Sequence, residues 1–177
     1  MRKIDPDRLS IRDVTLDDAD ALAEIYSHYV ENTAVSFEYK APDADEFRER
    51  IKKIIRSYPY IVCELDGNVA GYAYAGRYSD RAAYDLTVAS SIYVEKDHRR
   101  MGIGSALYDS LFKRLKAQGI VNVLAGAAYA DRTDEHLTDA SFKFHSSMGF
   151  KKAGHFKNVG TKFGKWYDLI WMQKNIK

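Results

Sequence analysis

Ile92-Tyr93-Val94-Glu95-Lys96-Asp97-His98-Arg99-Arg100-Met101-Gly102-Ile103-Gly104-Ser105-Ala106-Leu107 is the stretch that decides the fold of this chain. It reads as a strand, a short basic turn with two glycines, and then a helix. Gly102 and Gly104 let the backbone come close to a bulky anion. The first turn of a helix presents N–H donors without intrahelical partners, at the positive end of the dipole. Arg99 and Arg100 add charge and forked donors for phosphate oxygens. A diphosphate suits this segment. So does a plain turn before an amphipathic helix with its arginines in solvent, because short motifs match by chance often. A dinucleotide fingerprint needs a small residue where Leu107 stands, and the Gly-Lys-Ser/Thr of a P-loop is absent.

Working outward, the helix after the glycines places Ile103, Leu107, Leu111 and Leu115 four apart with Tyr108 alongside, and Gly119 is a C-cap. Upstream, residues 9–13 alternate as a first strand. Thr15 and Asp18 form a capping-box variant ahead of a helix with Leu22, Ile25, Tyr26 and Tyr29 as its apolar stripe. Asn32–Pro42 has no helical period and reads as a loop or short helix beside a cleft. Asp43–Ile55 is a second helix. Tyr60–Leu65 and Val69–Tyr78 are strands joined by Asp66-Gly67-Asn68, a hairpin signal, and Leu86–Val94 is the next strand. Downstream, Val121–Ala127 reads as a buried central strand, residues 129–139 as a loop, and Ala140–Met148 as a short helix closed by Gly149. Phe150–Val159 and Tyr167–Met172 form a last strand pair around Gly164. The order βααβββαβαββ predicts one mixed sheet with helices on both faces, an α/β (α+β) class rather than a doubly wound nucleotide fold.

The chain has 177 residues, enough for one domain over 1–177 with a real core, and no internal repeat or linker divides it. A net charge of +2 with no run of five like charges supplies no basic arm, so no nucleic-acid partner is expected. One cysteine, Cys63, excludes an intramolecular disulfide and a multi-cysteine zinc site. His28, His98, His136 and His155 show no ligand spacing, so no metal is expected. No signal peptide or membrane-spanning run is apparent, which makes a cytoplasmic protein with no membrane partner the expectation.

Arg99-Arg100-Met101-Gly102-Ile103-Gly104 resembles the (Gln/Arg)-x-x-Gly-x-(Gly/Ala) motif of the GNAT superfamily of acetyl-CoA-dependent N-acetyltransferases, and the resemblance runs from Ile11 to Met172. It extends to the phosphinothricin acetyltransferase-like branch through Ile25-Tyr26-Ser27-His28-Tyr29-Val30, Ser36-Phe37-Glu38, Gly71-Tyr72-Ala73-Tyr74-Ala75 and Arg81-Ala82-Ala83-Tyr84. Ser91-Ile92-Tyr93-Val94, Phe144-His145-Ser146-Ser147-Met148-Gly149-Phe150 and Lys162-Phe163-Gly164-Lys165-Trp166-Tyr167-Asp168 complete it. The resemblance implies a GNAT fold, with a mostly antiparallel twisted sheet, and acetyl-CoA as co-substrate. The backbone of Ile92, Tyr93 and Val94 should hold the pantetheine arm. The turn Arg99, Arg100, Met101, Gly102, Ile103, Gly104 and Ser105 should hold the diphosphate. The strand ending near Val94 should carry a bulge and splay from Val121–Ala127, leaving a gap for the thioester.

Acetyl transfer requires that the amine lose a proton, that charge on the thioester oxygen meet a donor, and that the leaving thiolate be stabilised. A backbone N–H near Ile92 or Tyr93 is the natural oxyanion donor. In the branch the strand into the motif usually reads Thr-Val-Glu-x-Ser-x-Tyr-Val, with the glutamate as candidate base. Here the residues are Thr87-Val88-Ala89-Ser90-Ser91-Ile92-Tyr93-Val94, and a methyl group occupies that position. Glu38 is the best replacement, its alternative role being a solvated loop carboxylate. His145, on the short helix, is the candidate acid for the thiolate; otherwise it bonds a carbonyl. Thr138 stands where many branch members place a cofactor-contacting asparagine. Tyr26, Tyr29, Phe37, Tyr74, Tyr84 and Trp166 are candidates for the wall of an acceptor pocket, Phe37, Tyr74 and Tyr84 foremost, with Arg77 or Arg81 available for a carboxylate.

These residues predict transfer of acetyl to a small amino-acid-like amine by direct attack in a ternary complex. Acetylation of protein N-termini, and a weakly active acyl-CoA-binding protein motivated by Ala89, stand as alternatives. The resemblance also admits a homodimer through the aromatic C-terminal hairpin.

Overall fold

In the computed structural model, which describes residues 8–177, Asp18 starts the helical part of the chain. Its carboxylate accepts the Thr15 backbone N–H at 2.7 Å and a fork from Arg12 at 2.7 and 2.8 Å. Burial pushes the Asp18 carboxyl up, but these donors outweigh it and hold the group below its ordinary value. Strand β1 (Leu9–Asp13) precedes this cap and α1 (Ala19–Asn32) follows it. Asp43 caps α2 (Ala44–Ile54) by accepting the Glu46 N–H at 2.9 Å. β2 (Tyr60–Leu65) and β3 (Asn68–Arg77) turn through Asp66 (φ 51°) and Gly67 (φ 83°), the two left-handed residues of a tight hairpin. Then come β4 (Thr87–Val94), α3 (Ile103–Ala117), β5 (Asn122–Tyr129), α4 (Ala140–Ser147), β6 (Lys151–Lys162) and β7 (Lys165–Asn175).

The strands form one seven-stranded sheet in the order β1-β2-β3-β4-β5-β7-β6. Every neighbouring pair is antiparallel except β4 with β5. Alternation along β2 sends Ile61 and Cys63 to one face and Tyr60 and Val62 to the other. The first face packs against α3, whose Leu107, Leu111 and Leu115 are fully buried, each contributing about 1.5–3 kcal/mol of apolar burial; α4 lies on the same side through Phe142 and Phe144. The second face is covered by α1 and α2 with a dense aromatic cluster around Tyr26, Phe47, Tyr72 and Tyr93.

The element order agrees with the expectation from periodicity. The last hairpin is longer than expected: backbone pairing continues through Gly160↔Tyr167 to Lys162↔Lys165, beyond the point where the apolar alternation of the sequence stops. The expected bulge in β4 is absent: β4 steps evenly along β3 from Gly71↔Val94 to Arg77↔Val88. Residues 1–7 of the expected 1–177 domain lie outside the described residues. No helix among the described residues is long and apolar enough to cross a membrane.

Candidate active site

The parallel pair β4–β5 comes apart after three residues. Thr87, Val88 and Ala89 pair with Asn122, Val123 and Leu124, and the ladder stops there. Beyond the fork β4 stays with β3 and β5 stays with β7. The edge of β4 from Ser90 to Val94 that faces β5 therefore lacks a strand partner. Backbone polar groups in such a place need an acceptor or donor from elsewhere, and an extended amide-bearing arm laid along the edge supplies them as an added strand does. Separation from β5, with no bulge, opens the gap. Ile92 points toward α3, Tyr93 packs on the opposite face against Tyr26 and Tyr29, and the Val94 carbonyl accepts the Tyr29 hydroxyl at 2.5 Å.

The basic turn lies at the open end of this gap. Arg100 (φ 60°) and Gly102 (φ 94°) are both left-handed, which is costly for an arginine and typical of a functional turn. Such turns gather successive N–H groups into an anion-binding nest. The N-terminus of α3 receives no side-chain cap, so its first donors are free for a ligand. A Cβ on Gly104 would lie 3.1 Å from two ring atoms of Phe144, so α3 and α4 meet there closely. Arg99 stacks over the Tyr29 ring at 5.0 Å, while Arg100 and Ser105 are exposed and Met101 is half-buried. Ile103 is a core side chain, so only its backbone faces the turn. A nest at one end of an open strand edge fits a diphosphate carrying an extended arm.

Near the fork lies a buried polar chain. Ser90 Oγ donates to the Leu124 carbonyl at 3.2 Å and lies 3.2 Å from the Tyr108 hydroxyl. Tyr108 lies 2.9 Å from His145 Nε2, and His145 Nδ1 lies 2.8 Å from the Ser141 carbonyl. A carbonyl only accepts, so Nδ1 carries the hydrogen, Nε2 accepts, and Tyr108 donates to it. Burial lowers the His145 pKa, and the ring is neutral. His145 thus reaches the fork only through Tyr108. Tyr108 is fully buried among Phe112, Phe144 and Phe150. Its position in the apolar stripe of α3 conceals it in the sequence; the hydroxyl at the end of that stripe is the one local signal of a polar role.

On the other face of the sheet, under α1 and α2, lies a cleft of about 540 Å³ lined by Tyr26, Tyr60, Tyr74, Tyr93, Arg50 and Arg77 among others. Gly76 also lines it and is the cross-strand partner of Ala89, which shares the face of Ser91 and Tyr93. A Cβ on Gly76 would meet nothing within 4 Å, so the floor is open where the branch pattern has a carboxylate. Glu38 borders the cleft through its partners. It receives Arg50 at 2.9 and 3.0 Å and the Tyr26 hydroxyl at 2.9 Å. Partial burial pushes the Glu38 carboxyl up, but Arg50 and Tyr26 outweigh it and keep it below the ordinary glutamate value. A carboxylate so clamped is a poor proton acceptor, which weighs against its expected role as base.

Of the aromatic residues expected at the acceptor, Tyr26 and Tyr74 line the cleft. Phe37 instead covers Gly160 of β6 and faces Tyr167. Tyr84 is exposed and packs edge-on against Tyr78, and Trp166 is exposed on β7. Tyr29 belongs to the turn side. Arg77 lines the cleft while pairing with Asp85 at 2.9 Å, and Arg81 is exposed. Arg50 was not singled out by sequence; it reads there as an ordinary solvated helix charge.

Residues 11–171 match the family described as an acetyltransferase (GNAT) domain. The chain is 34% identical over 169 residues to the phosphinothricin N-acetyltransferase of Streptomyces viridochromogenes, with 96% of this chain and 88% of that one covered. It is 36% identical over 172 residues to the L-amino acid N-acyltransferase MnaT of Escherichia coli, with 95% and 94% covered. A solved structure of a GNAT superfamily phosphinothricin acetyltransferase from Sinorhizobium meliloti in complex with AcCoA superposes with a TM-score of 0.85 at 32% identity, covering 95% of this chain and 88% of that one.

Proposed function

This chain belongs to the GNAT acetyltransferase family and is an acetyl-CoA-dependent N-acetyltransferase, and from that premise we propose that it acetylates the amine of a small amino-acid-like acceptor directly, in a ternary complex within one domain. The carrying observation is the fork: the open edge of β4 and the nest turn lead to it on one side of the sheet, and the aromatic cleft with Arg50 and Arg77 approaches it from the other. The relatives named for phosphinothricin and L-amino acids support an acceptor of that class. When bound, acetyl-CoA supplies a thioester whose carbonyl carbon is attacked and whose thiolate leaves. Cys63 favours direct transfer, because it lies in the core of β2 and burial pushes its thiol up to about 11, leaving it inert as a nucleophile.

The residues divide the work as follows. The backbone of Ile92, Tyr93 and Val94 binds the arm and offers the oxyanion donor, and the turn Arg99–Ser105 binds the diphosphate. In the resting site the Ser90 and Tyr108 hydroxyl hydrogens go to the Leu124 carbonyl and to His145 Nε2; as negative charge develops on the sulfur, the Tyr108 hydroxyl turns its hydrogen from His145 toward it. Glu38 and Arg50 shape the cleft as an ion pair, and the proton of the amine goes to water.

Tyr108→Phe is expected to lower kcat about 10- to 100-fold, at the weak end of what a positioned donor supplies, with acetyl-CoA affinity by calorimetry unchanged. It leaves His145 Nε2 without its donor, so a loss of about 1–3 kcal/mol in a denaturant melt accompanies it. Unaltered kcat removes Tyr108 from the chemistry. The overall reading is tested by CoA release with phosphinothricin, each common L-amino acid and short peptides. Turnover with amino acids and intersecting initial-rate lines support it; turnover with peptides alone, or parallel lines, overturns it.

A further inference from the structure

Lys162 ends β6 and is only 4% exposed. A lysine is seldom buried without a carboxylate, yet two of its hydrogens go to main-chain carbonyls, Thr33 at 2.8 Å and Ser36 at 2.7 Å. The ring of Phe163 lies 5.3 Å from the ammonium. The tethered loop is the one that serves the cleft. Ser36 Oγ lies 2.8 Å from the Tyr26 hydroxyl and accepts the Glu38 N–H at 3.1 Å. Glu38 in turn holds Tyr26 and Arg50, both lining residues. The same hairpin grips the loop further along, where Phe37 covers Gly160 and the Tyr39 hydroxyl meets Thr161. Those contacts are neutral or at the surface. The ammonium is the buried charge among them, and its field adds to that of Arg50 in keeping Glu38 ionised.

We propose that Lys162 is a positioning residue for the acceptor half of the reaction: it ties the β6–β7 hairpin to the Thr33–Glu38 loop and so fixes Tyr26, Glu38 and Arg50 around the acceptor without touching it. The inference rests on the cleft being the acceptor site, as proposed above. The two halves of the enzyme should then respond differently to its loss, because among the described residues its side-chain hydrogen bonds and ring contact go to Thr33, Ser36 and Phe163, and none goes to the fork or the nest turn.

The test uses the full chain with Lys162→Met, which keeps the length and removes the charge, and Lys162→Arg, which keeps donors and charge. Steady-state kinetics with the best acceptor of the panel, calorimetry with acetyl-CoA alone, and hydrogen exchange of the Thr33–Glu38 amides are read together. For Lys162→Met, exchange in the loop is expected to quicken and the acceptor KM to rise about tenfold, with kcat within about threefold and acetyl-CoA affinity unchanged. Lys162→Arg recovers most of the wild-type KM. Unchanged exchange in Lys162→Met overturns the tie itself. Quicker exchange with an unchanged acceptor KM overturns the acceptor site in the cleft, and an equal loss of acetyl-CoA affinity overturns the division between the two halves.

Discussion

Replacing Gly104 by leucine is expected to weaken acetyl-CoA binding at least about 100-fold, about 2.7 kcal/mol, and with it to abolish turnover. The cause is steric and local. Even a Cβ at this position would lie 3.1 Å from Cε2 and Cζ of Phe144, and leucine adds three more carbons. The first turn of α3 must then move off α4, and the N–H groups that the Arg100–Gly102 turn gathers no longer converge. Overpacking of this kind also costs about 1–3 kcal/mol of stability, so folding is checked by circular dichroism before binding is read. Phe144→Ala in the same chain returns the space and should restore part of the affinity. Gly102→Ala is the contrasting change: nothing lies within 4 Å of a Cβ there, but φ is 94°, so it costs about 1 kcal/mol of stability through the backbone alone. If Gly104→Leu folds and binds acetyl-CoA as tightly as wild type, the diphosphate does not sit at this turn.

Ala89→Glu is expected to raise kcat/KM about 100-fold near neutral pH, the low end of what a positioned general base contributes. Ala89 pairs across the strands with Gly76, a lining residue whose own Cβ would meet nothing within 4 Å, so a glutamate side chain at position 89 is directed to the sheet face that carries the cleft. In the wild type, Glu38 stays ionised and clamped by Arg50. Its depressed pKa means that it takes up a proton only well below neutrality, so it contributes no rise in rate around pH 7. The wild-type kcat/KM should therefore climb about tenfold per pH unit until the amine itself is deprotonated. The variant should reach its plateau at lower pH, because the new carboxylate removes the proton from bound ammonium. No gain in the variant, alongside brisk wild-type turnover, would assign the proton to Glu38 or to water ordered in the cleft and sink the argument from the empty floor.

The contrast between Glu38 and Ala89 shows what kind of information each level carries. That position 89 holds a methyl group is a property of the chain, and no folding alters it. That Glu38 is held ionised follows from Arg50, twelve residues away on the next helix, and from the Tyr26 hydroxyl, whose hydrogen bonds outweigh the opposite effect of burial. His145 behaves in the same way. Its place on a short helix follows from local pattern, but its tautomer and neutrality follow from Ser141 and Tyr108, the latter 37 residues away. Phe37 and Tyr84 could not be placed from sequence because a loop aromatic has no period to say which surface it meets.

By itself the sequence determined the order of strands and helices, the glycine turn before α3, the hairpin at Asp66-Gly67, and the missing carboxylate. The first three rest on hydrophobic periodicity and on backbone angles that few residues adopt, both of which are local; the fourth rests on the resemblance of Thr87–Val94 to the family's strand pattern. Only the tertiary structure decided where β4 leaves β5, that Tyr108 stands between His145 and the fork, and that Lys162 is buried against carbonyls 129 and 126 residues away. Those outcomes depend on which side chains share a low-dielectric space, and that is settled when the sheet closes over its helices rather than by the residues alongside in the chain.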